Sequence, residues 1–263
     1  MYAFTYERPH SLSDVAKLIE HGSQPLAGGQ TLLASMKQRL ASPEALVDLS
    51  QVAELKGIKL NGSSLVIGAM SRHAEVASNE LVIKHIPALA DLAGHIGDKQ
   101  VRAMGTIGGS VANNDPSACY PSAVLALGAK VHTNRRIINA NDFFLGMFST
   151  ALESGEIITA IEFPIPKKAV YLKFKQQASR FAMVGIFLAQ TAECVHVAVT
   201  GASSQGVFRH AGLEAALNKS FTVESAASVA IDASDLNADI HASAEYRAHL
   251  ISVQTQRAVK YLL

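Results

Sequence analysis

Residues 99–116 read KQVRAMGTIGGSVANNDP, and residues 25–31 read PLAGGQT. The two stretches share a layout. Each presents a Gly-Gly pair, Gly28-Gly29 or Gly108-Gly109, with a hydroxyl residue just beyond it, Thr31 or Ser110. Thr106 adds another hydroxyl ahead of the second pair. Glycine lets a backbone turn sharply and approach a ligand with no Cβ in the way. Successive N–H groups pointing the same way form a concavity that binds anions. Threonine and serine hydroxyls donate further hydrogen bonds to phosphate oxygens. Two such cradles in one chain fit a single diphosphate gripped from two sides. The familiar competitors fail on spacing, because neither G-x-G-x-x-G nor G-x-x-x-x-G-K-[ST] occurs.

The rest of the composition narrows the field. Of 263 residues, 49% are hydrophobic and 17% charged, enough apolar material for a sizeable core. The formal net charge is +1, so the chain lacks the concentrated basic face that nucleic-acid binding requires. Arg135-Arg136 and Lys167-Lys168 read as solvated turns. Cys119 and Cys194 are too few for a disulfide framework or an iron–sulfur centre held by this chain alone, and both are expected to be reduced and packed. No basic-then-apolar leader opens the sequence, and no apolar run approaches the roughly 20 residues of a membrane span. A cytoplasmic protein is expected.

The ten histidines form no H-E-x-x-H, and no C-x-x-C occurs, so no metal site is expected. Ser203-Ser204 lacks the G-x-S-x-G context of a nucleophile and reads as a loop. No catalytic acid, base or nucleophile stands out.

Patterning along the chain predicts three units. In residues 1–56, SLSDVAKLIEHG is a helix capped by Ser11 or Ser13, Gln24–Ala27 is extended, TLLASMKQRL is helical, and Ala45–Leu49 is a buried strand. In residues 57–168, a hairpin turns around Asn61-Gly62, HAEVAS and IPALADLAGHI are helical, the glycine stretch follows, and Pro121 opens a short helix. Strands are expected at Lys130–Thr133 and Glu156–Phe163. In residues 169–263, strands at Tyr171–Phe174, Ala182–Thr191 and Val195–Thr200 precede a helical tail running through Ala226, Val229, Ile231, Ala248, Ile251, Val259 and Leu262.

The stretches AGGQT, VRxxGTIGGS and NDPSACYPSA, with FFLGMFST (143–150), EIITAIEFP (156–164) and YLKFKQQASRFA (171–182), resemble the flavin-binding medium subunit of the molybdenum hydroxylases. That family includes xanthine dehydrogenases and aerobic carbon monoxide dehydrogenases. The resemblance implies an α+β fold: a two-lobed, PCMH-type FAD-binding domain with a smaller C-terminal α+β domain. It implies FAD as cofactor. Leu26, Ala27, Gly28, Gly29, Gln30 and Thr31, with Thr106, Ile107, Gly108, Gly109 and Ser110, would hold the diphosphate. Asn113 and Asp115 count among the cofactor-binding residues. Ile96 and Gly97 would line the adenosine or ribityl side. Ile158 would lie against the flavin edge, and Lys173 or Lys175 would sit near the isoalloxazine, where a positive charge favours the reduced ring.

One departure stands out. Many relatives carry aspartate at the position of Cys119, contacting the ribose or adenine side. Sulfur is a weak acceptor, so weaker FAD binding is expected at that point, and Asp115 could compensate from a different spacing. The resemblance also implies partners: a molybdopterin-bearing large subunit, a [2Fe–2S] small subunit, and assembly as a dimer of heterotrimers. This chain would pass electrons from the iron–sulfur clusters through FAD to an external acceptor. The alternatives are a stand-alone FAD oxidoreductase of the same fold and a non-catalytic flavin-binding module.

Overall fold

The chain begins with strand β1 (Thr5–Glu7), helix α1 (Leu12–Glu20), strand β2 (Gln24–Leu26), helix α2 (Leu32–Lys37) and strand β3 (Ala45–Asp48). The computed structural model describes every residue from Met1 to Leu263. Ser11 caps α1, its hydroxyl accepting the Asp14 N–H at 3.2 Å. Val15 and Ile19, one turn apart, are the buried stripe of that helix. β3 lies between β1 and β2 in a parallel sheet. Its Leu46, Val47 and Asp48 are all buried, as befits a parallel strand covered on both faces.

A hairpin follows, β4 (Ile58–Asn61) and β5 (Ser64–Gly68). Asn61 pairs with Ser64, and Gly62 has a φ of +57°, so the loop is Gly62-Ser63. Asn61 is the last ladder residue rather than the first turn residue. Helices α3 (His73–Ser78), α4 (Glu80–His85), α5 (Pro87–Gly94), α6 (Lys99–Met104), α7 (Ile107–Asn113) and α8 (Tyr120–Ala126) come next. Then come β6 (Lys130–Thr133), β7 (Ile137–Asn139), the short α9 (Ala140–Phe143), the small hairpin β8 (Phe144–Gly146) and β9 (Ser149–Thr150), and β10 (Ile158–Pro164). β4, β5, β10, β6 and β7 make an antiparallel sheet in that order. All of these helices except α6 bury apolar residues with it in one large core that includes Leu65, Ile67, Tyr120 and Phe163.

The last sheet orders β11 (Lys168–Lys175), β12 (Ala182–Gln190), β13 (Val195–Thr200) and β14 (Phe208–Arg209), all antiparallel. α10 (Ala211–Lys219), α11 (Val223–Ala227) and α12 (Ala244–Leu262) follow. β12 is apolar almost throughout because both of its faces are covered. Val184, Ile186 and Leu188 pack with Ile251 and Val259 of α12, while Phe187 and Ala189 join the core around Tyr120. Arg247 of α12 donates to the carbonyls of Met183 and Gly201 at 2.8 and 3.0 Å. Thr200 donates back to the Pro116 and Ala118 carbonyls at 3.0 and 2.7 Å, joining this sheet to the segment after α7.

Two sequence expectations change. Residues 99–113 form two short helices, not an open glycine loop. The tail is not helical throughout, since Val229 and Ile231 lie in irregular chain between α11 and α12.

α7 ends at Asn114, whose φ of 43° and ψ of 48° lie in the left-handed region that asparagine tolerates. Its Nδ2 donates to the Gly146 and Ser149 carbonyls at 2.7 and 2.9 Å, fastening the β8–β9 hairpin. Asn114→Gly keeps the backbone geometry and loses only the fastening, a cost of about 1–3 kcal/mol. Asn114→Asp turns a carboxylate toward two carbonyl oxygens and is expected to lower the thermal midpoint further than glycine does. Equal midpoints for the two variants would contradict this reading of the contact.

Candidate functional site: a cleft between two glycine stretches

The two glycine stretches touch. A Cβ added at Gly28 would overlap the Met104 carbonyl oxygen and come within 2.6 Å of Gly105 Cα. Both obstacles are backbone, so only glycine fits at 28. The second stretch is seated as tightly from behind, where a Cβ at Gly108 would lie 2.5 Å from Ala69 Cβ. Thr106 caps α7, its hydroxyl oxygen accepting the Gly109 N–H at 3.2 Å.

The stretches divide the hydrogen bonding unequally. In the second, residues 107–110 have every N–H engaged. Ile107 N–H donates to the Ser71 carbonyl at 3.0 Å, Gly108 to Ala69 at 2.9 Å, Gly109 to the Thr106 hydroxyl, and Ser110 to the Thr106 carbonyl at 3.0 Å. In the first, the N–H groups of Gly28, Gly29, Gln30 and Thr31 donate to no protein acceptor. Thr31 makes no capping bond at the start of α2. The expected pair of equivalent N–H cradles is therefore one cradle facing a closed floor. Gly105, Gly108 and Gly109 serve close packing, and what the second stretch has left to offer is the Thr106 N–H and the hydroxyls of Thr106 and Ser110.

Around this junction lies a cleft of about 1040 Å³. Leu26, Ala27, Gly28, Gly29, Gln30, Thr31, Ile96, Gly97, Thr106, Gly108, Gly109, Ser110, Asn113, Asp115, Cys119, Ile158 and Lys173 all line it. Ile107 does not, since its side chain is fully buried in the large core. Lys175, at the end of β11, also lies outside. The cleft has two ends with the glycine junction between them. At one, Ile19, Leu49 and Ile157 belong to the core of the first sheet. At the other, Lys173 donates to the His95 carbonyl at 2.9 Å and to Cys119 Sγ at 3.3 Å, and Arg180 donates to the Gly97 carbonyl at 3.4 Å. Ile96, Gly97, Cys119 and Lys173 thus share one end. That grouping sets Cys119, whose position the resemblance put on the ribose or adenine side, beside Lys173, which it put near the isoalloxazine, and Ile96 and Gly97 fit its ribityl alternative.

The sequence reading missed several walls of the cleft. Phe181, 55% exposed, comes from the β11–β12 connection, next to Arg180 at a φ of +62°. Phe148, at a φ of +52°, comes from the β8–β9 hairpin. Glu156 has a fully buried side chain. Burial opposes its charge, but bonds from Arg136, the Glu153 N–H and Thr133 prevail and hold its pKa down at about 2. His73 is buried against Gly105 and Tyr120, and burial, helped by the Arg102 charge, lowers its pKa to about 4. His73 Nδ1 and the Tyr120 hydroxyl are buried without a partner. None of these residues carries a local pattern that would announce it.

Two measurements test this geometry. Gly28→Ala must push the two stretches apart at the backbone, and a stability loss of about 3 kcal/mol or more is expected, beyond ordinary overpacking. A loss below 1 kcal/mol would show that the contact gives way easily. For His73, the unfolded chain takes up a proton that the folded chain refuses. Its contribution is present above pH 6.5 and is lost as pH falls toward about 4, up to about 3 kcal/mol. Glu156 adds a second loss in the lower window between 4.5 and about 2. Urea midpoints of His73→Gln are expected to be flatter between pH 6.5 and 4 than those of the native chain, and equal slopes would refute the buried neutral imidazole.

Residues 2–166 match the family described as the FAD binding domain in molybdopterin dehydrogenase. The chain is 34% identical to the carbon monoxide dehydrogenase medium chain of Afipia carboxidovorans, over 98% of this chain and 96% of that one. It is 33% identical to the nicotine 6-hydroxylase medium subunit of Paenarthrobacter nicotinovorans, over 98% and 96%. Among solved structures, carbon monoxide dehydrogenase from Hydrogenophaga pseudoflava superposes with a TM-score of 0.92 at 32% identity, covering 99% of this chain and 97% of that one.

Proposed function

The chain belongs to the family of FAD-binding domains of molybdopterin dehydrogenases, and from that premise we propose that its cleft holds FAD with the diphosphate over Gly28–Thr31. The residues fit the group. A cleft of about 1040 Å³ is at the upper end of ordinary cofactor sites. Four unpaired N–H groups sit midway along it, as a diphosphate in the middle of a dinucleotide requires. This run of free donors is the observation that carries the reading.

The chain's own residues have distinct tasks. Gly28, Gly29, Gln30 and Thr31 donate backbone N–H groups to the diphosphate oxygens. Thr31, Thr106 and Ser110 donate hydroxyls. Leu26, Ala27 and Gly109 form the walls, and Ile107 anchors the floor from behind. Asn113 and Asp115 line the same cleft, and Ile158, adjoining Ile157, falls on the adenosine side of the diphosphate rather than against the ring edge. The ring takes the end where Lys173, Cys119, Ile96 and Gly97 meet, and the adenosine takes the end near Ile19 and Leu49. The positive charge of Lys173 favours that choice, because the reduced ring is the more negative form. Bound there, FAD accepts electron pairs and passes them on.

As a medium subunit, the chain works beside large and small partner subunits. We place a molybdopterin on the large one and [2Fe–2S] clusters on the small one, in a dimer of heterotrimers in the cytoplasm. We divide the chain into FAD lobes 1–56 and 57–168 and a C-terminal domain 169–263. No helix is long and apolar enough to cross a membrane.

The test is titration of the full chain, freed of flavin, with FAD. Thr31→Val removes a hydroxyl that has no structural bond. It is expected to weaken FAD about tenfold while leaving the thermal midpoint of the flavin-free chain in place. Unchanged affinity would remove Thr31 from the site, and a native chain that takes up no FAD would end the proposal.

A further inference from the structure

The ring-side end of the cleft has an unusual charge balance. Lys173 Nζ donates to the His95 carbonyl at 2.9 Å and to Cys119 Sγ at 3.3 Å, and it forms no ion pair. An ammonium has three N–H donors, so one remains for a ligand in the cleft that Lys173 lines. The carboxylates nearby are engaged elsewhere. Asp91 lies 3.3 Å from His95 Nδ1, Asp98 accepts the Val101 N–H at 2.8 Å, and Asp115 accepts the Ser117 N–H at 2.8 Å. The Tyr171 hydroxyl, beside Cys119, is buried and its pKa is raised well above the ordinary value, so it brings no negative charge to Lys173.

We propose that Cys119 is a positioning residue that holds the Lys173 ammonium in place without neutralising it, leaving its full positive charge to the flavin ring. A carboxylate at 119 would hold the same ammonium as an ion pair and cancel its field. Sulfur, a weak acceptor, fixes the position and spares the charge. The consequence is a bound flavin whose reduced form is favoured, and therefore a higher midpoint potential, than a chain with an acidic residue at 119 would show. This rests on the reading that the ring occupies the Lys173 end of the cleft.

The experiment measures the midpoint potential of FAD bound to the full chain against reference dyes, together with FAD affinity from titration. Cys119→Ser, which keeps a neutral acceptor, is expected to match the native chain. Cys119→Asp is expected to disfavour reduced relative to oxidised flavin by about tenfold, which lowers a two-electron potential by about 30 mV. Lys173→Gln is expected to lower it similarly, and it decides the matter alone if an aspartate at this buried position prevents folding. A Cys119→Asp potential equal to the native one overturns the inference. So does an unmoved potential in Lys173→Gln, because the Lys173 charge would then not act on the ring. In both cases continued FAD binding leaves the proposed function standing. Failure of the native chain to bind FAD would instead strike the proposed function, and this inference with it.

Discussion

The architecture depends on the contact between Gly28 and the Met104–Gly105 backbone, where no Cβ can be accommodated. It brings a loop of the first sheet against the connection between α6 and α7. That connection is fixed from the other side by the Ala69 and Ser71 carbonyls, which accept the first N–H groups of α7. Remove the close approach and the cleft loses its midpoint. The parallel sheet and the five-stranded sheet would still have cores of their own, but the loop and its floor would no longer face one another.

The hydrogen-bond distribution follows from this packing. A stretch pressed into the protein must satisfy its donors internally, because a buried orphan N–H is costly. Residues 107–110 do so completely. The opposing loop faces the cleft and can leave four donors free. A near-neutral chain thereby presents a site for a doubly charged group from backbone dipoles. The side-chain charges are kept to the ends, with Glu156 locked to Arg136 at one and Lys173 without an ion pair at the other.

Much of this was legible in the residues themselves. Ser11 with the Val15–Ile19 spacing announces α1, and the apolar run of β12 announces a strand covered on both faces. The two glycine stretches mark the cleft because close approach needs a missing side chain. Their division of labour was hidden. Gly108 and Gly109 are poor helix formers, so local propensity argued for a loop at 106–110. The cap from Thr106 and the tight seat against Ala69 override that propensity, and the seat is a tertiary fact. Likewise His95, Cys119 and Lys173 are distant in sequence, and only the packing of α5 and α8 against β11 and β12 joins them. No periodicity encodes that meeting, so the sequence alone does not bring Cys119 and Lys173 together.

A crystal structure of the full chain with FAD tests the central claim most directly. The diphosphate oxygens should lie within about 3.2 Å of the N–H groups of Gly28–Thr31, with α7 unchanged beneath them. A diphosphate bound away from that loop, or an α7 that opens so that Gly108 and Gly109 become the donors, would contradict it.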